Sequence, residues 1–318
     1  DGVQRGTGPL CDLRDVLHDI RGSDGHIKVG PAAHDLVQQL LQANLVRTGL
    51  WTAWSRAMLD PGVPDENVLA ALDAYVASAA KNRVAVCFTF FAFQPPYFGG
   101  TNTYLDDRSL EGQRALLTLV ASRYRGVPWV HWDLINEPSY SPPDRIWSNQ
   151  PVRDAYERRA WADWLKKRHG DDELALRESW RAIGDNLDGL PEYGDLGWSM
   201  IREGKLTRKA HDFAAFSQDV VAGWAARLRD ILKAAAGPET LVTLGQDEGG
   251  THLRPAQQLH YDSLDYTAVH TWWLNDDLLW DGVMTMPLAR CGPGPGSAAK
   301  SGSAASATFM RNVPDAHL

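Results

Sequence analysis

Two acidic strand ends stand out as places where this sequence could do chemistry. The first is Asn136-Glu137-Pro138, which closes the run Trp129-Val130-His131-Trp132-Asp133-Leu134-Ile135. The second is Gln246-Asp247-Glu248-Gly249-Gly250, which closes Leu241-Val242-Thr243-Leu244-Gly245. A carboxyl group at a strand end can give and take a proton at a substrate. Two of them on neighbouring strands can stand within catalytic reach of one another. A cation joins them: Asn44-Leu45-Val46-Arg47-Thr48-Gly49-Leu50-Trp51 reads as a strand carrying Arg47. A buried guanidinium holds a nearby carboxylate ionised. Each group also has a plainer role open to it. Glu137 could be a solvated acid at a strand end, and Arg47 could pair with a structural acid.

The elements that must position these residues alternate. A short bulky run bounded by turn residues reads as a buried strand. Gly126 and Pro128 open the run before Glu137, and Pro138 cannot donate to a sheet ladder, which ends it. Val84 to Phe91 is a second such strand. Leu241 to Gly245 and Leu264 to Val269 are two more. Helical spacing lies between them. It runs from His34 to Ala43, from Glu66 with Leu69, Leu72, Tyr75, Val76 and Ala79, from Gln113 to Tyr124, and from Leu206 to Ala235. An excursion from 141 to 197 adds helices over Val152–His169 and Asp171–Ala182. His26-Ile27-Lys28-Val29 is a candidate first strand. Alternation of this kind predicts an α/β fold with a parallel sheet. With 318 residues the chain has room for one TIM (β/α)8-type barrel, which takes about 250.

Composition narrows the class. The net charge of −8 argues against a nucleic-acid partner. No apolar segment is long enough to cross a membrane. Three cysteines, Cys11, Cys87 and Cys291, form neither a disulfide framework nor a metal-ligand spacing, and Cys87 reads as a buried thiol. Thirteen tryptophans suit a carbohydrate site, because an indole face stacks on a sugar ring. Most of them should nonetheless be structural. No G-x-S-x-G elbow occurs, which removes the support for an esterase reading. The sequence starts at Asp1 without a signal-peptide pattern, leaving a soluble protein either cytoplasmic or secreted with the signal removed.

Trp132-Asp133-Leu134-Ile135-Asn136-Glu137-Pro138 resembles the fourth-strand signature of retaining glycoside hydrolases of clan A, above all the family 5-like members. The resemblance implies that Glu137 is the general acid/base and that Asn136 contacts the sugar 2-hydroxyl. It implies that Arg47 lies beneath the catalytic carboxylates, as the Arg of an Asn-x-x-Arg run on the second strand. His270 and Trp272, after Leu264–Val269, match the sixth-strand residues that bond the nucleophile or stack on sugar. Tyr97, in the aromatic loop Gln94–Tyr104, and Trp51 complete the expected substrate-binding set. Many clan members carry a His after the third strand, where this chain has Phe91-Ala92-Phe93-Gln94. Trp164 to Gly170, with Leu174 and Trp180, is similar to an insertion that borders the cleft in several of these enzymes; a surface helical pair is the plainer alternative. No cofactor or metal is implied.

The pattern breaks where a seventh strand should supply the nucleophilic Glu. No Glu follows Glu248, and 17 of the 22 residues from Pro287 to Thr308 are Gly, Pro, Ser or Ala, which predicts an irregular segment. The expected organisation is therefore a barrel domain over 1–284, with the insertion at about 141–197, and an irregular tail over 285–318. The barrel could be incomplete after its sixth strand, and its exposed sheet edges would then favour a homodimer. Glu248 is the best-placed substitute for the second carboxylate, with Asp247 next. Two functions follow: hydrolysis of β-linked glucan, mannan or galactoside through Glu137, or carbohydrate binding on a barrel that lacks its nucleophile.

Overall fold

A computed structural model describes residues 45–49, 58–60, 62–146, 150–180, 189–191, 207–246, 263–266, 268–269 and 306–307. Its centre is a six-stranded sheet. The strands are β1 (Leu45–Gly49), β4 (Ala85–Ala92), β5 (Val130–Asn136), β6 (Val242–Gln246), β7 (Ala268–Val269) and β8 (Ser306–Ala307), side by side in that order and all parallel. A small antiparallel pair, β2 (Met58–Asp60) and β3 (Val63–Pro64), stands apart from it. Parallel neighbours need long crossovers. Helix α1 (Glu66–Lys81) lies between β1 and β4, and α2 (Asp107–Arg123) between β4 and β5. Between β5 and β6 come α3 (Ala155–His169), α4 (Glu173–Trp180) and the long α5 (Arg208–Ala236).

The helices start and stop where local chemistry dictates. Asp65, Asp106, Asp154 and Thr207 are N-caps whose side chains accept from first-turn backbone N–H groups. Gly170 and Gly237 end α3 and α5 with positive φ. Four basic residues, Lys166 to His169, sit in the last turn of α3, where the helix dipole favours cations.

The central strands have two unlike faces, because side chains alternate along a strand. Val86, Phe88 and Phe90 on β4, with Trp132 and Leu134 on β5, form one buried apolar face. Phe90 and Trp132 stack with ring centroids 5.5 Å apart. Cys87, Thr89, His131 and Asp133 alternate with them and form the other, which is polar. Helix α5 covers the assembly through Phe213, Phe216, Val221, Trp224, Leu228 and Leu232, all buried.

Several expected bounds change. Helix α2 begins six residues before Gln113. Gly112 argues against a helix in sequence, but a Cβ there would lie 2.3 Å from the Phe98 Cβ, so the missing side chain is the notch that seats Phe98. The strand expected from Leu264 is β7 alone; residues 263–266 form a turn, in which the Asp265 carboxylate accepts from Val242 N at 2.9 Å and so anchors the start of β6. Helices α3 and α4 begin later than expected, α3 after its Asp154 cap and α4 at Glu173. Within the tail over 285–318, the described residues Ser306–Ala307 are a strand on β7. The candidate strand His26–Val29 and the helix His34–Ala43 lie outside the described residues.

Candidate active site

Arg47 on β1 and Asp133 on β5 meet on the polar face with side chains only 3% and 1% exposed. Charges so far from water must be paired and hydrogen-bonded. Arg47 Nε donates to Asp133 Oδ2 at 2.9 Å, and Arg47 Nη2 forms a shorter contact with the same oxygen. Thr89 Oγ1, from the intervening strand β4, donates to Oδ2 at 2.8 Å. The other oxygen, Oδ1, accepts from Gly245 N on β6 at 2.7 Å. One carboxylate thus ties together four neighbouring strands.

Backbone geometry explains how Asn136 joins them. Between β5 and β6 the register slips: Asp133 pairs with Thr243, yet Asn136 pairs with Gly245. Three steps on β5 match two on β6, which is a β-bulge. Gly245 N–H there finds the Asp133 carboxylate as its acceptor. Arg47 Nη1 donates to Asn136 Oδ1 at 2.8 Å, so the guanidinium spans Asp133 and Asn136. The approach of β1 to β4 is close enough that a Cβ on Gly49 would fall 2.0 Å from the Thr89 carbonyl oxygen.

Strand β5 ends at Asn136, two residues before Pro138, because Glu137 turns into the left-handed region with φ 49°. That conformation is uncommon for a residue with a side chain. It is held in place: Glu137 N donates to Gly245 O at 2.7 Å. Phe93, after β4, has φ 62° and its N–H donates to Asn136 O at 2.8 Å. Ser139 N donates to Phe93 O at 2.6 Å, Tyr104 Oη to Ser139 O at 3.1 Å, and the Gln94 amide to the Ser141 carbonyl. The result is a half-buried Glu137 at the strand end beside a buried Asn136 whose Oδ1 is held by Arg47.

The loop after β4 is a packed wall rather than a display of aromatic rings. Tyr104 is buried, Phe98 sits in the Gly112 notch, and Gln113 Nε2 donates to Thr103 O at 2.8 Å. Tyr97 is half-buried; burial, then the negative charges of Asp154 and Asp144, push its phenol above the ordinary value. It therefore faces the insertion. Deeper on the polar face, burial and then the Asp133 charge push the Cys87 thiol up to about 12, so it stays protonated and is no nucleophile at neutral pH. Its Sγ lies 3.6 Å from Tyr266 Oη. Burial lowers the His131 value, leaving a neutral imidazole whose ring centroid is 5.8 Å from that of Tyr266. Among the described residues no group of His, Cys, Asp and Glu could hold a metal ion.

Of the residues singled out in the sequence, the structure brings Arg47, Asn136 and Glu137 together. Trp51, Glu248, His270 and Trp272 lie outside the described residues. Asp133 and Thr89 were not singled out. The signal for Asp133 was an acid in the middle of an apolar strand, which demands buried partners.

The fold is shared with known structures. The chain superposes on a β-galactosidase from the psychrophilic Marinomonas ef1 with a TM-score of 0.54 and 18% identity, covering 75% of this chain and 38% of that one. It superposes on the catalytic domain of a β-amylase from Paenibacillus polymyxa with a TM-score of 0.53 and 10% identity, covering 75% of this chain and 72% of that one. The chain has the α/β barrel fold of these two proteins. It spans well under half the length of the β-galactosidase. No protein-family model matches the sequence, and no curated protein matches it. In such barrels, side chains at the C-terminal ends of the strands carry the chemistry. Asn136 and Glu137 stand at that end of β5. Among the described residues, no helix is long and apolar enough to cross a membrane.

Proposed function

We propose that this chain hydrolyses β-linked glycosides, with Glu137 as the general acid/base. The observation that carries the reading is the pairing of a Glu held at φ 49° on a barrel strand end with an Asn whose Oδ1 is taken by a buried Arg. Asn136 Oδ1 is occupied, so its Nδ2 is the end that offers hydrogens to a bound hydroxyl. Glu137 protonates the departing glycosidic oxygen and then takes a proton from the attacking water. Glu248, two residues beyond β6, supplies the second carboxylate. A separation of about 5 Å between the two would give retention, and about 6.5–9.5 Å inversion. Tyr97, His270, Trp51 and Trp272 border the sugar.

Hydrolysis of a panel of aryl β-glycosides and β-1,4-linked polysaccharides by the parent and by Glu137→Ala tests this. Activity in the parent that vanishes in the variant is the expected result. A second reading is favoured by the lack of any Glu after Glu248: a barrel that binds carbohydrate without cleaving it. It predicts sugar binding by the parent with no turnover, and little change in that binding in Glu137→Gln.

A further inference from the structure

The geometry points to Asp133 as the positioning residue that sets the direction of the Asn136 amide, acting through Arg47. The inference rests on the proposed use of Asn136 as a hydroxyl donor, but its structural half can be tested alone. Asp133 is itself too deep to meet a substrate: the whole residue is buried and its oxygens take donors from Arg47, Thr89 and Gly245. Its influence must travel through those partners.

Arg47 is the partner that reaches the site. Its guanidinium is planar, so fixing Nε and Nη2 on Asp133 Oδ2 fixes where Nη1 points. Nη1 points at Asn136 Oδ1, 2.8 Å away. An amide can present either its oxygen or its nitrogen by a half-turn about its last bond, and only its partners decide which. With Oδ1 held by a cation, Nδ2 is turned away from Arg47. Thr89 holds the carboxylate from one flank and Gly245, across from the β5 bulge, from the other, so Asp133 cannot follow Arg47 if it moves. Neutralising Asp133 while keeping its size releases the guanidinium, and with it the constraint on the amide.

The test is a spectrum together with a cycle. In protein labelled with 15N at asparagine, the side-chain NH2 signal of Asn136, assigned by its loss in Asn136→Ala, should shift or broaden in Asp133→Asn. It should shift less in Thr89→Val, which removes one donor and spares the charge. Phe88→Leu, on the opposite face of β4, should leave it in place whatever it does to stability. In hydrolysis or sugar binding, Asp133→Asn should cost about 100-fold in the parent background, the scale of a small misplacement at a reacting group. The same change should cost little once Asn136 is alanine. An Asn136 signal unmoved in both Asp133→Asn and Thr89→Val would overturn the inference, as would equal losses in the two backgrounds. If Asp133→Asn does not fold, Thr89→Val decides by the same signal. A parent that neither binds nor cleaves any sugar would overturn the proposed function instead, and the signal would still decide about Asp133.

Discussion

The polar face of the barrel and the helical insertion solve the same packing problem with opposite chemistry. On the polar face two buried charges, Arg47 and Asp133, hold each other and orient Asn136. In the insertion, Trp161 of α3 is buried between Trp164, with ring centroids 5.5 Å apart, and Trp180 of α4, at 6.1 Å. All three indoles are nearly parallel. Arg168 lies over the Trp164 ring and Lys209 over Trp180, while Asp219 and Asp212 accept their indole N–H groups. Aromatic faces covered by cations and neighbouring rings are not platforms for sugar. Tryptophan number, which suggests a carbohydrate site in the sequence, measures scaffold in this region. The proposed chemistry belongs where aromatic residues give way to Asn, Glu and Arg.

This contrast predicts where damage should be confined. The largest effect belongs to Arg47→Met, which leaves the Asp133 carboxylate buried without its cation. Breaking a buried pair from one side costs about 3–5 kcal/mol. Stability by denaturant titration and any sugar binding should both fall; a variant that loses neither would show the pair to be incidental.

Trp161→Ala sharpens the contrast. Emptying the middle of the stack should cost about 3–5 kcal/mol, as other buried aromatic truncations do. Hydrolysis at a temperature where the variant is folded should stay near that of the parent. A loss of activity with stability intact would move the insertion from scaffold to site.

The junction between the two regions yields the third and smallest effect. Glu157 of α3 is buried and accepts from Val152 N at 3.1 Å and Arg153 N at 2.6 Å. Tyr140, three residues after Glu137, faces the same carboxyl but stands outside hydrogen-bonding geometry. Burial pushes Glu157 up to about 7 against the pull of those two backbone donors. An acid raised on folding binds more protons folded than unfolded. Its contribution to stability is whole below about 4.5, the ordinary value, and is lost as pH rises through about 7. The loss is on the order of 3 kcal/mol. Between pH 5 and pH 8 the stability of Glu157→Gln should therefore gain on that of the parent. A constant difference across that range would mean that Glu157 is charged throughout.

Much of this was legible in the residues, and what was not has physical causes. Bulky unbroken runs marked β4 and β5, and three- and four-residue spacing marked α5 almost to its ends. Glu137 and Asn136 were legible because a motif and a strand end coincided. Asp133 was hidden because its value depends on the register of three other strands and on a bulge that no local pattern announces. The first turns of α2 were hidden because Gly112 and Gln113 look like helix breakers and surface. In fact one seats Phe98, and the other donates to Pro96 O and Thr103 O and accepts from Trp224 Nε1. The hairpin of β2 and β3 offered too few residues for any period to appear.

The most direct test of the central claim is how Glu137→Ala responds to the leaving group. Two β-glycosides of one sugar serve, one with an alkyl alcohol to expel and one with a dinitrophenolate. An alkoxide must be protonated to depart, whereas a dinitrophenolate needs no proton. We expect the variant to lose about 10²–10⁴-fold on the alkyl glycoside, the usual range for a general acid, and far less in the release of dinitrophenolate. Equal rates for parent and variant on both substrates, or a parent that cleaves neither, would contradict the assignment of Glu137.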